Sequence, residues 1–302
     1  MKRVVSVSLG SSLRDHSVQL SLLGEEVLLE RIGTDGDRRK VIEEIRRLDG
    51  KVDAFGMGGL DRYLYLSDRR YTFREAELIA RHATRSPIVD GSGLKNGLER
   101  HVVRSLADHP QIRLRNKSVL LVSGADRFGM ATALVEIGCE VVFGDLMFGL
   151  GLPLAIRSLQ GLDRAARMIA PLITKLPIRF LYPTGEKQQE IRAKYEQHYL
   201  DADVIAGDFH FIRRHLPERL TGKTVVTNTV TPADVQMLRA RGVEHLVTTT
   251  PDFSGRSFGT NAIEALLVAL AESDRELAPM RYVSLLNRIG FEPRIESLTD
   301  RV

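Results

Sequence analysis

A chain of 302 residues, 43% hydrophobic and 27% charged, is long enough for one large or two medium domains with buried cores, and its make-up excludes disorder and collagen-like repeats. Its 43 lysines and arginines are scattered among 39 acids for a net charge of +4, which does not require an anionic polymer as partner and lacks the basic stripe usual in a nucleic-acid binder, so none is expected. One cysteine, Cys139, excludes an internal disulfide and a multi-cysteine zinc centre, and no stretch reaches the roughly 18 apolar residues of a membrane helix.

From the N-terminus, apolar patterning predicts strands at 4–9, 17–23 and 27–32, with Leu23-Gly24-Glu25-Glu26 as the turn joining the last two. The first residues enter a strand directly and not an apolar secretory core, so a cytoplasmic location is expected. Val41, Ile42, Ile45 and Leu48 recur at helical spacing and predict a helix over 38–48, with Asp37-Arg38-Arg39-Lys40 as its solvated first turn. A strand at 52–57, a helix near 74–82, a strand at 87–90 and a helix at 94–106 complete a smaller mixed α/β domain over 1–112, the expected substrate domain. His109-Pro110 marks the break that follows.

Beyond it the alternation becomes regular. β-rich runs at 118–122, 141–143, 178–182, 204–206, 224–227 and 245–248 are separated by helical patterns at 129–137, 154–176, 186–199 and 232–241. Strands spaced in this way pair in parallel through right-handed crossovers. The expected fold class is α/β, with a C-terminal doubly wound parallel sheet of Rossmann type over 113–275 after the smaller mixed domain. Thr231 before Pro232 reads as a helix cap and first residue. Leu146 to Pro153, rich in glycine and leucine, predicts a tight, partly buried crossing that shapes either a substrate pocket or a subunit contact, the latter implying a homodimer. A helix near 278–288, in a tail over 276–302, is expected to pack back on the body.

Chemistry concentrates at the turns that follow strands. Val122-Ser123-Gly124-Ala125-Asp126-Arg127-Phe128-Gly129 joins a strand to a helix, the setting of a dinucleotide loop. Gly124 suits the tight turn, Gly129 the close helix packing, and amides at the helix start attract phosphate. Asp126 stands where the fingerprint has its middle glycine, so Arg127 has to offset a carboxylate beside a diphosphate. Asp145, after the second strand, is placed to accept hydrogen bonds from an adenosine ribose, and its charge favours NAD over NADP. A Rossmann turn without a cofactor and a strand-end aspartate bonded to loop amides are the plain alternatives.

Asp208 and His210, after the fourth strand, border the same crevice and are candidate substrate contacts. With His215 they lack a further ligand, and no metal is expected. In the first domain Asp90 and Lys95 of Asp90-Gly91-Ser92-Gly93-Leu94-Lys95 form a candidate acid–base pair, with a surface salt bridge as the alternative. Ser11 and Ser12 are candidate donors to a substrate carboxylate.

These motifs support a resemblance. Val-Ser-Val-Ser-Leu-Gly-Ser-Ser (5–12), Ile-Val-Asp-Gly-Ser-Gly-Leu-Lys-Asn (88–96), Asp-Arg-Phe-Gly-Met-Ala (126–131) and Ala-Gly-Asp-Phe-His-Phe-Ile-Arg-Arg (206–214) resemble bacterial proteins named quinate 5-dehydrogenase. The domain order is similar to that of shikimate and quinate dehydrogenases. The resemblance implies a two-domain NAD(P)-dependent oxidoreductase acting on a small polar hydroxy or keto acid. It also implies that Asp90 binds substrate, since Asp90-Gly91-Ser92-Gly93 matches the core of that family's substrate-binding segment. The family's catalytic-lysine motif is absent after 52–57, where Gly58-Gly59-Leu60-Asp61 stands, so Lys95 or Lys187 has to serve. A non-redox ligand-binding or regulatory protein on the same scaffold is the competing expectation.

Overall fold

The computed structural model describes residues 1–177, 191–250, 252–253 and 256–299. The predicted strand at 178–182, the start of the predicted helix at 186–199, and Lys187 lie outside the described residues.

In chain order the first elements are β1 (Lys2–Ser8), β2 (His16–Leu22), β3 (Glu25–Gly33), α1 (Arg38–Leu48) and β4 (Ala54–Gly58). The hairpin β5 (Tyr63–Tyr65) and β6 (Arg70–Thr72) follows, then α2 (Arg74–Ala80), β7 (Ile88–Val89) and α3 (Ser92–Leu106). Next come β8 (Ser118–Leu121), α4 (Phe128–Glu136), β9 (Glu140–Phe143), a π-helical turn at Asp145–Gly149, α5 (Leu159–Ile173) and α6 (Glu196–Asp201). The remainder is β10 (Val204–Gly207), α7 (Phe209–Arg214), β11 (Thr224–Thr227), α8 (Pro232–Ala240), β12 (His245–Thr248), the short pair β13 (Asp252–Phe253) and β14 (Arg256–Ser257), α9 (Thr260–Leu270), α10 (Pro279–Arg288) and β15 (Arg294–Ser297).

Two compact units result, each discontinuous in sequence. The first comprises Met1–Gly97, Ile169–Gln188 and Phe258–Phe291. Its sheet runs β2-β3-β1-β4-β7, with β3, β1, β4 and β7 parallel and β2 antiparallel at the edge. The β2–β3 turn places Leu23 at φ 54 and Gly24 at φ 83, the two left-handed positions of a turn whose twist matches the strands. Asp37 caps α1 by accepting from the Arg39 and Lys40 amides, and Val41, Ile45 and Leu48 face the core.

Helix α9 covers β4 and β1, and Ala262 to Ala269 are buried all round. It belongs to the first unit, although the sequence reading runs the second domain to residue 275. Glycines make this possible: a Cβ at Gly56 would lie 2.7 Å from the Asn261 carbonyl oxygen, and one at Gly91 2.7 Å from the Asn261 nitrogen.

The second unit comprises Leu98–Met168, Gln189–Ser257 and Glu292–Val302. Its sheet runs β15-β12-β11-β10-β8-β9, parallel throughout except for β15, which the tail supplies against β12. This is α/β layering of Rossmann-like kind with a parallel-dominated sheet. Leu120, Val122, Ile205, Val225 and Leu246 along the strands meet Tyr199, Phe209, Ile212 and Leu238 in one core, each such side chain contributing about 1.5–3 kcal/mol on burial. Thr231 and Asp234 form a reciprocal capping box with Pro232 at the first position of α8, as the sequence indicates. From β8 the chain moves outward to β9, then returns to β10 on the other side of β8. The strand order therefore reverses between β8 and β10, the kind of position where open α/β sheets bind ligands.

Candidate functional site

Both loops leaving the sheet at that reversal carry charged side chains. After β8 the chain turns through Ser123 to Arg127 into α4. Gly124 has no room for a side chain, since a Cβ there would sit 2.9 Å from Phe143, 3.0 Å from Leu162 and 3.2 Å from Asp145 Oδ2. That crowding brings the loop against Asp145. The Gly124 N–H donates to Asp145 Oδ2 at 3.0 Å and the Ala125 N–H to Oδ1 at 2.8 Å. Asp145 opens the π-helical turn, whose Met147 and Phe148 are buried and fix it to the core. A turn of this kind re-aims a side chain relative to an α-helix. Burial, partly offset by the two amide bonds, pushes the Asp145 carboxyl up to about 6. Each oxygen retains acceptor capacity beyond its amide.

Arg127 is 2% exposed and ties the loop to two other elements. Its Nη1 pairs with Glu99 of α3, and its Nη2 lies 2.9 Å from Asp208 Oδ2. Asp208 follows β10 and caps α7, accepting from the His210 N–H at 2.9 Å. Asn228, after β11, donates from Nδ2 to Asp208 Oδ2 at 3.0 Å, and the Ser123 hydroxyl accepts from the Asp208 N–H at 3.3 Å. Glu99, Asp208 and Asp126 together hold the guanidinium protonated against the cost of its burial. Asp126 is partly buried and close enough to contribute to that field. The offset for Asp126 expected of Arg127 is thus shared with two further carboxylates. Phe128 and Gly129, at the start of α4, are buried, and no side chain caps that helix. His210 is exposed.

In the first unit, Asp90 and Lys95 do not form the expected pair. Asp90 Oδ2 accepts from the Arg62 and Tyr63 amides at 2.5 and 3.3 Å, and Oδ1 from the Ser92 hydroxyl and amide at 2.7 and 3.4 Å. Four donors fill the acceptor sites of a carboxylate. Asp90 therefore organises the segment entering β5, and the expected pairing with Lys95 is not made. Lys95 Nζ lies 3.3 Å from Asp61 Oδ1, with both side chains largely buried. Ser12 does hold a carboxylate, but the chain's own: its amide and hydroxyl both donate to Asp35 at 2.8 Å. Ser11 caps the short turn over Ser12–Arg14 by accepting from the Leu13 N–H. Those bonds commit the Ser12 donors expected to meet a substrate acid, whereas Ser11 acts here as an acceptor.

A carboxyl that the motifs do not single out is Glu264 on α9, which is wholly buried. It accepts from the Tyr282 hydroxyl at 2.5 Å and from the Gly91 N–H at 2.6 Å. Burial, then the nearby charge of Asp90, raises its pKa well above the ordinary carboxylate range. Among the described residues, no group of three histidines, cysteines or acids is placed to hold a metal ion, and no helix is long and apolar enough to cross a membrane.

Residues 93–298 match the family described as Domain of unknown function (DUF8754), and residues 3–90 match Domain of unknown function (DUF8753). The chain belongs to the DUF8754 family. No curated protein matches it. Among solved structures it is similar to the hetero-hexameric glutamate dehydrogenase of Thermus thermophilus, at 14% identity and a TM-score of 0.46, covering 96% of this chain and 73% of that one. It is similar also to GanP, a glucose-galactose binding protein of Geobacillus stearothermophilus, at 11% identity and a TM-score of 0.41, covering 99% and 98%. A third is the NAD-dependent malic enzyme of Thermotoga maritima, at 12% identity and a TM-score of 0.36, covering 95% and 84%.

At these similarities, the chemistry of this DUF8754 member rests on its own residues. Of the expected cofactor set, Gly124 and Asp145 meet directly, and Arg127 meets Asp208 from the expected substrate set. Asp61 and Glu264 were not singled out. Asp61 lies 34 residues from Lys95, and only the fold of the β4–β5 segment joins them. Glu264 had one visible signal, a lone acid inside an apolar helical run.

Proposed function

We propose that the chain is an NAD-dependent oxidoreductase acting on a small polar hydroxy or keto acid, with quinate or shikimate as the substrate that the sequence resemblance suggests. The second unit would then be the doubly wound dinucleotide-binding domain. The observation offered in its support is Asp145 at the reversal point of a parallel sheet: its bonds to the Gly124 and Ala125 amides are those of the plain strand-end alternative, and the reading rests on the acceptor capacity left beyond them. Its remaining lone pairs suit the two hydroxyls of an adenosine ribose. Its charge disfavours a 2′-phosphate, which sets NAD above NADP.

A bound nicotinamide supplies a hydride acceptor or donor. The chain's part is to bind, orient and move the proton. Lys95, held 3.3 Å from Asp61 Oδ1, is the group assigned to the substrate hydroxyl's proton. Asp90 sets the backbone of Arg62 and Tyr63 beside it.

Titration with NADH and NADPH by calorimetry or nicotinamide fluorescence tests the reading. NADH is expected to bind at micromolar concentration and about tenfold or more tighter than NADPH, a difference of at least about 1.4 kcal/mol. No binding of either at millimolar concentration sinks it.

A second reading, a ligand-binding protein without redox chemistry, draws on the match of Arg127 by Glu99 and Asp208. Three acids around one arginine suit a neutral polyol or nucleoside better than a free diphosphate. Adenosine binding without NADH binding or turnover would favour it.

A further inference from the structure

Arg127 carries a donor with no acceptor. Its Nη1 is on Glu99 and its Nη2 on Asp208, while Nε is buried and has no hydrogen-bond partner. Nε and Nη2 form the side-on fork of a guanidinium, two parallel N–H groups matched to two oxygens of one phosphate or carboxylate. Asp208 fills one prong. Its second oxygen is held by the His210 N–H as the cap of α7. A buried charged group that leaves a donor unpaired is costly, and such exceptions in native proteins call for a specific cause.

The two carboxylates on Arg127 differ in how readily they can leave. The Glu99 side chain is 1% exposed, whereas that of Asp208 is 20% exposed and borders solvent. Asp208 would not be stranded by losing Arg127, because Asn228 Nδ2 and the α7 amide still donate to it.

The geometry points to Arg127 as an oxyanion seat that Asp208 occupies in the ligand's place. A diphosphate takes the Nε–Nη2 fork with two oxygens, and Asp208 retires to Asn228 and the helix cap. This rests on the nucleotide reading proposed above and extends it from the ribose to the diphosphate. The loop then needs no middle glycine at 126, because a side-chain fork, and not a bare backbone, meets the charge.

The test uses the full chain with Asp208→Asn and Asp208→Ser, both of which keep a capping oxygen for α7 while removing the competing charge. Calorimetry with NADH, inorganic pyrophosphate and adenosine is expected to show the first two bound about tenfold more tightly by both variants, with adenosine unchanged. Arg127→Lys, which keeps the charge and loses the fork, is expected to weaken NADH and pyrophosphate by a similar factor at an unfolding midpoint that confirms a folded protein. Unchanged or weaker NADH and pyrophosphate binding in both Asp208 variants overturns the exchange. If all proteins bind adenosine but neither anion, the exchange fails and the ribose contact stands. If the Asp208 variants gain pyrophosphate while none binds NADH, the exchange stands and the dinucleotide reading falls.

Discussion

At Asp145 a carboxylate loses water and gains two amides, and its pKa of about 6 records that the amides only partly compensate. Between about pH 4 and 6 the native state holds more protons than the unfolded chain, whose aspartates titrate near 3.9, so this residue adds stability as pH falls through that window. Asp145→Asn is expected to remove that slope in urea unfolding. The ionised form is the ribose acceptor, so NADH affinity in the wild type is expected to fall about tenfold from pH 7 to pH 5. An equal fall in Asp145→Asn would detach the effect from this residue.

Glu264 is wholly buried with two acidic neighbours, Asp90 and Glu276. With its pKa raised by burial and by Asp90, it destabilises the fold as pH rises above the ordinary carboxylate range. Glu264→Gln keeps an acceptor for the Gly91 amide. It is expected to exceed the wild type in stability by about 1–2 kcal/mol near pH 8, with no gain near pH 5. A loss at both pH values would show that the charge is needed. That Asp145 meets the Gly124 loop was legible because its position follows from strand and loop spacing. The partners of Arg127 were not, lying 28 and 81 residues away.

At the scale of elements, glycines decide where α9 can lie. Gly36, at φ +85, has open space around it, whereas Gly91, at φ +97, has the Asn261 backbone 2.7 Å from any added Cβ. Gly36→Ala is expected to cost about 1 kcal/mol of strain alone. Gly91→Ala should cost about 3 kcal/mol or more, and Gly56→Ala about 2, because helix α9 has to shift. Chemical denaturation of the three variants checks the order, and equal costs would contradict the packing account. Helix α1 and the apolar strands β11 and β12 have the bounds the pattern indicated. The hairpin β5–β6 was missed because three-residue strands leave too little alternation to see. Helix α9 was missed because Ala-Ile-Glu-Ala-Leu-Leu-Val-Ala-Leu, buried on all sides, has no polar face to mark a helical period.

Across the whole molecule the two units interleave along the sequence. Period and turn chemistry are local signals, so they read the strand order of a parallel sheet well and the destination of a late helix poorly. Because 258–291 complete the first unit, a deletion fragment that lacks 258–291 but keeps β15 is expected to lose cooperative folding of β1 and β4, seen as fast hydrogen exchange in those strands while β10 and β11 stay protected. Full protection of β1 and β4 in that fragment would refute the dependence. The most direct measurement for the account as a whole is a crystal soaked with NAD. It should place the ribose against Asp145 and the diphosphate on Arg127, with Asp208 drawn off to Asn228. Arg127 still on Asp208, with NAD absent or bound elsewhere at millimolar concentration, would contradict it.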